Sequence, residues 1–375
     1  MSATAAGLAG VMFEELFAAS DDVLLSVLAE ADDQDEIAAE RWSRCSPPDK
    51  PIREESLEVV ILGALGCRLG MLNGEAGGIL LRIAGTCLLI DPGPAAVYLL
   101  SRLERLGHFR FCDLDAILCS HIHTDHITDL LPCIEGMTRG MRVERGCVIS
   151  NQTVMEKFLA FSPYHLAKVR PVVLAPGIGR EKEEATQEGG SRSSLTSVKL
   201  GGIEVWATPT FHLEEAGKWD TGIGFLIQSQ KASLWYTSDT NLFDGLLQYV
   251  EAMACERLTL VIANADASDV ERKPGKAQVC HLLTRDVPEI ARRVRPRHIL
   301  IQHYDEAYSS PRYRLAQAIY LQRLVDRSDL ETRILPSANG LSLSFDGICL
   351  REHDLCFESD AGIAVRDYLE ALRCP

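Results

Sequence analysis

The sequence predicts an α/β protein, and three observations predict it. Short apolar runs of strand length alternate along the chain with helix-length amphipathic stretches. Several of those runs stop abruptly at a histidine or an aspartate, as in scaffolds that carry chemistry at their strand ends. An apolar fraction of 46% and a charged fraction of 24% over 375 residues suit a soluble chain with one sizeable core and a small appendage.

Residues 1–55 differ in character from the remainder of the chain. Phe13–Glu14–Glu15–Leu16–Phe17 and Val23–Leu24–Leu25–Ser26–Val27–Leu28 carry helical periodicity, with Ser20 and Asp21 as an N-cap between them. Asp32 to Arg44 reads as a third, more polar helix, and Ser46–Pro47–Pro48–Asp49–Lys50–Pro51 as a linker by its prolines. This divides the chain into a helical extension, 1–55, and a core domain, 56–375. The extension is expected to pack as an appendage; a dimer or partner contact is the alternative.

The core opens with Val60–Ile61–Leu62, a glycine-containing turn through Gly63 and Gly66, and the run Ile79–Leu80–Leu81. Leu88–Leu89–Ile90 comes next and ends at Asp91–Pro92–Gly93. A helix is expected near Ala95–Leu106, a strand around Ile117 and a helix from Thr128 to Met137. Beyond these lie a strand at Cys147–Ser150 and a helix near Thr153–Phe161. Gly177 to Ser194 is charged and Gly/Ser-rich, and is expected to be a mobile surface loop, with a lid as the alternative. A helix starts near Asn241, and Ala277–Thr284 opens a helical pattern through Ile290 and Val294. Arg312 to Arg327 is helical, Ile334 to Leu350 alternates as closing strands, and Ala364 to Leu372 forms a final helix.

The densest chemistry is Ser120–His121–Ile122–His123–Thr124–Asp125–His126, directly after the apolar run Leu114–Cys119. It gathers three of the chain's ten histidines and one carboxylate within six positions. A polar loop with chance histidines is the plain alternative. Imidazole nitrogen and carboxylate oxygen are the donors of catalytic zinc sites, which keep a position open for water. Further candidates close later strand-like runs: His212 after Ile203–Thr210, Asp239 after Leu234–Ser238, and His303 after His298–Gln302. Singly, each has a dull reading, a hydrogen-bonded core histidine or a helix-capping aspartate. As an ordered set they favour ligation.

The HxHxDH pattern after a strand resembles the metallo-β-lactamase superfamily of metal-dependent hydrolases. The resemblance covers about residues 57–345. It implies a four-layer αββα sandwich, two mixed sheets face to face with helices outside, plus the small N-terminal extension. It implies two divalent metal ions, with zinc preferred and manganese or iron compatible with the same donors. His121, His123 and His212 would hold the first ion. Asp125, His126 and His303 would hold the second, and Asp239 would bridge both. Asp91 would orient a ligand histidine by hydrogen bonding, a role compatible with a turn-forming Asp before Pro-Gly.

The opening strand, its glycine turn and the segment around His281 resemble the ribonuclease Z-like branch. There a histidine at this place donates a proton to the leaving alkoxide, and His281 is the candidate, with Asp125 as a second catalytic candidate. A surface histidine at a helix N-terminus is the alternative for His281. Asp266 would support it. Two departures stand out. His212 and Asp239 are only 27 positions apart, too few for the long RNA-gripping arm. After His303 the family's His-Phe-Ser-x-Arg-Tyr is replaced by His303–Tyr304–Asp305, with Ser310, Arg312 and Tyr313 as a displaced version. Arg312 would grip a phosphate or simply open a surface helix.

A net charge of −15 makes a poor surface for long nucleic acid and favours a small phosphodiester or nucleotide substrate. No run approaches 18 apolar residues, so no membrane span is expected, and the absence of a basic leader argues against secretion. Twelve scattered cysteines without a CxxC pair point to reduced thiols in the cytoplasm, with no disulfide framework. The function expected is hydrolysis of a small nucleotide or RNA phosphodiester by metal-activated water. The rivals are a thioester, lactone or β-lactam hydrolase on the same scaffold, and a non-catalytic metal-holding subunit. A homodimer is compatible with all of these.

Overall fold

A computed structural model describes residues 18–30, 57–66, 70–72, 75–177, 195–215, 218–219, 222–265, 281–305, 310–346, 349–353 and 360–373. By its contacts the chain divides into Met1–Asp49 and Lys50–Pro375. In the first unit a helix covers residues 21–30, preceded by Ser20 as expected. The other N-terminal helices anticipated from sequence, the 178–194 loop and Asp266 lie outside the described residues.

The larger unit carries an eight-stranded and a seven-stranded sheet. The first is built from β1 (Leu57–Ile61), β2 (Ile79–Ile83), β3 (Thr86–Ile90), β4 (Ala116–Cys119), β5 (Cys147–Ser150) and β6 (Arg170–Val173). β1, β2 and β3 run antiparallel, then β3 to β6 run parallel. β7 (Ser197–Leu200) and β8 (Ile203–Pro209) open the second sheet, and a short hairpin, β9 (Leu213–Glu215) and β10 (Lys218–Trp219), comes after them. β11 (Ile223–Gln228), β12 (Ser233–Tyr236), β13 (Leu260–Asn264), β14 (His298–Gln302) and β15 (Arg333–Pro336) complete it. β7, β8, β11 and β12 are antiparallel, and β12 to β15 are parallel. Each sheet is therefore a meander that turns into a parallel half, a repeated plan that the sequence does not display. The closing segment does not stay in one sheet. After β15 the chain returns to the first sheet as β16 (Ser342–Asp346) and β17 (Cys349–His353), with β16 pairing β1.

The central strands of the first sheet, β3, β4 and β5, are buried on both faces, which is why they read as unbroken apolar runs. Leu88 and Ile90 of β3 join the core shared with the second sheet, while Cys87 and Leu89 join a separate core under the helices Ala96–Arg105 and Leu130–Met137. The same alternation splits Leu57, Val59 and Ile61 from Val60 in β1. On the second sheet, the helices Asp244–Met253, Val287–Val294 and Pro311–Arg327 contribute Leu246, Ile290 and Leu321 to the larger core. The result is the αββα sandwich.

Of the helix starts that differ from expectation, which include Leu130 for Thr128 and Asp360 for Ala364, two have a local cause. The helix placed near Asn241 begins at Asp244, because Phe243 is still extended. The helix read through Ile290 begins at Val287, after a 3-10 turn over Thr284–Asp286. Pro288 sits in its first turn, the place where a residue without an N–H is tolerated, so the helix cannot extend back to His281. Cys87, Cys119, Cys133, Cys147 and Cys255 form no disulfide, but Cys112 is disulfide-bonded, against the expectation of reduced cysteines throughout. Among the described residues no helix is long and apolar enough to cross a membrane.

His298, at the start of β14, is buried and donates from Nδ1 to the Thr259 carbonyl at 3.1 Å. Burial pushes its imidazole down to about 4, helped by Arg297, Arg333 and Arg257. Above the usual histidine range both folded and unfolded chains carry it neutral. As pH falls, the unfolded chain takes up a proton that the folded chain refuses, so stability is lost down to about pH 4. His298→Gln should flatten the fall in urea-unfolding free energy between pH 6.5 and 4.5 by about 1 kcal/mol per pH unit. A wild-type slope in the variant would show that His298 is not the group responsible.

Candidate metal centre

Every residue predicted to hold metal lies just beyond the C-terminal end of a strand, and the fold brings them together at one edge of both sheets. β4 leads through Ser120 to His121, His123, Asp125 and His126, β8 to His212, β12 to Asp239 and β14 to His303. Two donor groups result, His121–His123–His212–Asp239 and Asp125–His126–Asp239–His303. In each, one nitrogen or oxygen per residue lies within 4.8 Å of the others. They are the two sets anticipated from sequence, sharing Asp239.

The spacings fit a cation. In the first group His123 Nδ1 lies 3.0 Å from His121 Nε2 and 3.1 Å from His212 Nε2. Asp239 Oδ2 is 3.7 Å from His121 Nε2 and 3.9 Å from His212 Nε2. In the second, His126 Nε2 lies 3.2 Å from both His303 Nε2 and Asp239 Oδ2. His303 Nε2 is 3.3 Å from Asp125 Oδ2 and 3.5 Å from Asp239 Oδ2. Four donors placed tetrahedrally about 2.1 Å from one ion sit roughly 3.4 Å apart.

Charge states suit the same purpose. Burial pushes His121 well below the usual histidine range, with His126 adding to the effect against the pull of Asp239. Burial also lowers His123. Burial disfavours the His126 cation, yet Asp239, Asp125 and Asp91 together hold it well above its usual range. Burial opposes ionisation of the two carboxylates too. His126 and His303 nonetheless hold Asp125 far below the usual carboxylate range, and His303, His126 and His281 do so for Asp239. The cluster thus presents two carboxylates beside the neutral imidazoles of His121 and His123, and a metal entering it must displace the His126 proton.

Asp91 holds this arrangement from behind. Its Oδ1 accepts from the Ser120 backbone N–H at 2.7 Å. Its Oδ2 accepts from Ser120 Oγ at 2.6 Å, from His126 Nδ1 at 2.8 Å and from the Tyr236 hydroxyl at 2.6 Å. With the Ser120 proton given to Asp91, Ser120 Oγ accepts from His121 Nδ1 at 2.9 Å. One carboxylate therefore anchors Nδ1 of two candidate ligands and turns Nε2 of each towards the cluster. Asp91, Ser238 before Asp239, and His303 all have left-handed backbone, with φ of 48°, 57° and 61°. Such conformations in non-glycine residues concentrate where surrounding structure over-determines a site.

His281 lies in neither donor group. It sits in the bend before the 3-10 turn, with Nε2 3.7 Å from Asp239 Oδ2. Its ring stands between those of His212 and His303, at centroid distances of 4.9 and 5.4 Å. Its side chain is 19% exposed, against 1–7% for His121, His126, His212 and His303 around the same carboxylate. Arg312 is exposed at the start of its helix. The buried arginine is Arg314, which donates to the Ser337 carbonyl at 3.1 Å and lies 4.8 Å over the Tyr304 ring.

Sequence reasoning missed Ser120, Tyr236, Asn264, Gln302 and Gly66 as parts of the site. Gly66, in the glycine turn after β1, packs against the His303 ring; a Cβ there would overlap ring atoms Cε1 and Nδ1. The turn is joined to the second sheet by Gly66 N–H to the Tyr304 carbonyl and Tyr304 N–H to the Ala64 carbonyl, both 3.0 Å.

Residues 86–304, more than half of the chain, match the beta-lactamase superfamily domain. An uncharacterized protein of Methanocaldococcus jannaschii is 26% identical over 264 residues, 68% of this chain and 85% of that protein. The metallo-beta-lactamase fold protein YhfI from Bacillus subtilis superposes with a TM-score of 0.56 at 16% identity, over 77% of this chain and 99% of its own. Unliganded yeast PDE1 gives 0.56 at 13% identity, over 77% and 99%. The short form of human tRNase Z gives 0.51 at 14% identity, over 76% and 98%. At these identities the structural likeness is one of fold.

Two substitutions test the geometry. Asp91→Ala strands the buried donors of Ser120, His126 and Tyr236, and should weaken metal binding by about 10–100-fold in competition with a chromophoric chelator. Wild-type affinity would show that Asp91 does not orient the ligands. Gly66→Ala should push His303 aside and strip metal from the Asp125–His126–His303 side, leaving the His121–His123–His212 side loaded. Metal analysis after gel filtration reads this, and full occupancy of both sides would refute it.

Proposed function

The chain belongs to the beta-lactamase superfamily, and from that premise we propose that it is a binuclear metal-dependent phosphodiesterase of the ribonuclease Z-like kind. His121, His123 and His212 would hold one cation, Asp125, His126 and His303 the other, and Asp239 would serve both. Zinc suits these nitrogen and oxygen donors best. When bound, the pair supplies Lewis-acid charge and brings the pKa of a coordinated water from about 15.7 towards about 7.

The observation that carries the reading is His281. Its Nε2 lies 3.7 Å from the carboxylate oxygen on which both donor groups converge, yet it belongs to neither. A phosphodiester needs such a residue, because an alkoxide leaves poorly unless protonated as the bond breaks. A thiolate leaving a thioester does not. The rings of His212 and His303 flank the imidazole, and its partial exposure lets it recover a proton from solvent between turnovers. The net charge of −15 supports a small substrate over long RNA, since few phosphates could be neutralised outside the site.

The test is a leaving-group series. His281→Ala should lose at least about 10²-fold in kcat on a diester with an alkyl leaving group, and far less on bis(p-nitrophenyl) phosphate, whose phenolate leaves unaided. Metal content should be unchanged. No loss on either diester, together with efficient thioester hydrolysis, would replace this reading with an acyl hydrolase.

A further inference from the structure

We infer that Asn264 is a positioning residue that orients Asp239, turning one carboxylate oxygen away from the metals so that the other serves both. The inference rests on the two-metal reading above. Asn264 closes β13 and Gln302 closes β14, and the two are register partners on adjacent parallel strands. Gln302 Nε2 donates to Asn264 Oδ1 at 3.1 Å. The Asp239 carboxylate, which can only accept, decides which way the Asn264 amide faces. Its Nδ2 then donates one hydrogen to Asp239 Oδ1 at 2.8 Å and the other to the Tyr236 hydroxyl oxygen at 3.1 Å.

The opposite orientation fails on three counts. It would set the Asn264 oxygen against a carboxylate oxygen and its N–H groups against the N–H of Gln302. It would also require a second proton from Tyr236, whose single hydroxyl hydrogen already goes to Asp91 Oδ2 at 2.6 Å. Burial, reinforced by Asp91 and Asp239, holds that phenol well above its usual range, so the proton stays. Asn264 is fully buried, its side chain spent on these contacts.

The two oxygens of Asp239 therefore differ. Oδ1 is engaged by Asn264. Among the described residues, the imidazoles of His121, His126, His212, His281 and His303 all approach the carboxylate at Oδ2. A carboxylate can join two cations with one oxygen to each or with a single oxygen to both. Removing the amide would free Oδ1 to turn towards the donor groups, so that either oxygen of Asp239 could serve a cation held there. Tyr236 extends the control, because the same hydroxyl that receives Asn264 braces Asp91, and Asp91 orients His126 and, through Ser120, His121.

The magnetic coupling between two Mn(II) ions reads the bridge directly, without turnover. Full-length wild-type protein, Asn264→Ala and Gln302→Ala would be loaded with Mn(II) and compared by electron paramagnetic resonance and by equilibrium metal titration. The wild type should bind two ions and give an exchange-coupled spectrum. Asn264→Ala should alter that coupling and weaken the second binding step by about 10-fold or more. Gln302→Ala leaves Asn264 in place but unlatched. It should shift the coupling in the same direction, and it carries the test if Asn264→Ala does not fold. A lowered melting temperature with a wild-type coupled spectrum would mean a merely structural role and overturn the inference. A wild type that binds fewer than two Mn(II) ions would instead overturn the two-metal reading, and this inference with it.

Discussion

A single buried carboxylate, Asp91, is the contact on which the site depends. Burying a charge is unfavourable by several kcal/mol unless donors surround it. Here four do, one to Oδ1 and three to Oδ2. The consequence is chemical as well as energetic. A neutral imidazole has one proton to place, and the partner behind the ring decides which nitrogen keeps it. By accepting from Nδ1–H of His126 directly, and by orienting the Ser120 hydroxyl that accepts from Nδ1–H of His121, Asp91 turns two Nε2 donor atoms towards the cluster at once. It does so from a left-handed backbone, a conformation aspartate tolerates better than most residues. The turn is tied on both sides, Asp91 N–H to the Leu118 carbonyl at 2.8 Å and Gly93 N–H to the Asp91 carbonyl at 2.7 Å.

That hub explains why a sandwich is needed. Asp91 and Ser120 lie just past neighbouring parallel strands of the first sheet, while Tyr236, Asn264 and Gln302 close neighbouring parallel strands of the second. The Tyr236–Asp91 bond crosses between the sheets and is buried throughout. A slip of one sheet against the other would break it and disturb donors on both sides. The large core between the sheets, with Trp235, Phe225 and Tyr236 fully buried, resists that slip by close packing. Packing there reaches the donor groups through one hydroxyl, that of Tyr236 on Asp91.

The candidate ligands are legible in the sequence because chemistry forces their identity. A dication of this kind takes imidazole and carboxylate, and each such residue interrupts an apolar run at a strand end. The supporting residues are not legible for the complementary reason. Ser120, Tyr236, Asn264 and Gln302 act through hydrogen bonds that many polar residues can make, and their partners are distant in sequence, up to 145 positions for Tyr236 and Asp91. A signal does exist at Asn264 and Gln302, each the polar terminus of an otherwise apolar strand. It becomes informative only with the register that sets them side by side. Periodicity misplaces the helix starts near Asn241 and Ala277 because it persists through the extended residue Phe243 and the turn before Pro288. The repeated plan of the two sheets is invisible because it lies in strand direction, not in residue type.

The ligands are not all held by the same physics. His121 and His126 are fixed by hydrogen bonds that select a tautomer. His303 is different, for its Nδ1 is buried and makes no hydrogen bond among the described residues. Its ring is confined by contact with the Gly66 backbone and by its left-handed φ. Steric confinement sets the plane of a ring but does not choose its tautomer, so the chemical cue at Nε2 comes from the front, from Asp125 and Asp239. The two donor groups should then respond differently to perturbation. The His121–His123–His212 position depends on a polar network with directional, all-or-none bonds. The position at Asp125, His126 and His303 depends in part on van der Waals contact, which yields continuously as the glycine turn shifts. That turn is itself tied to the residue after His303, by Gly66 N–H to the Tyr304 carbonyl and Tyr304 N–H to the Ala64 carbonyl, so the backbone that confines the ring and the backbone that carries it are held together.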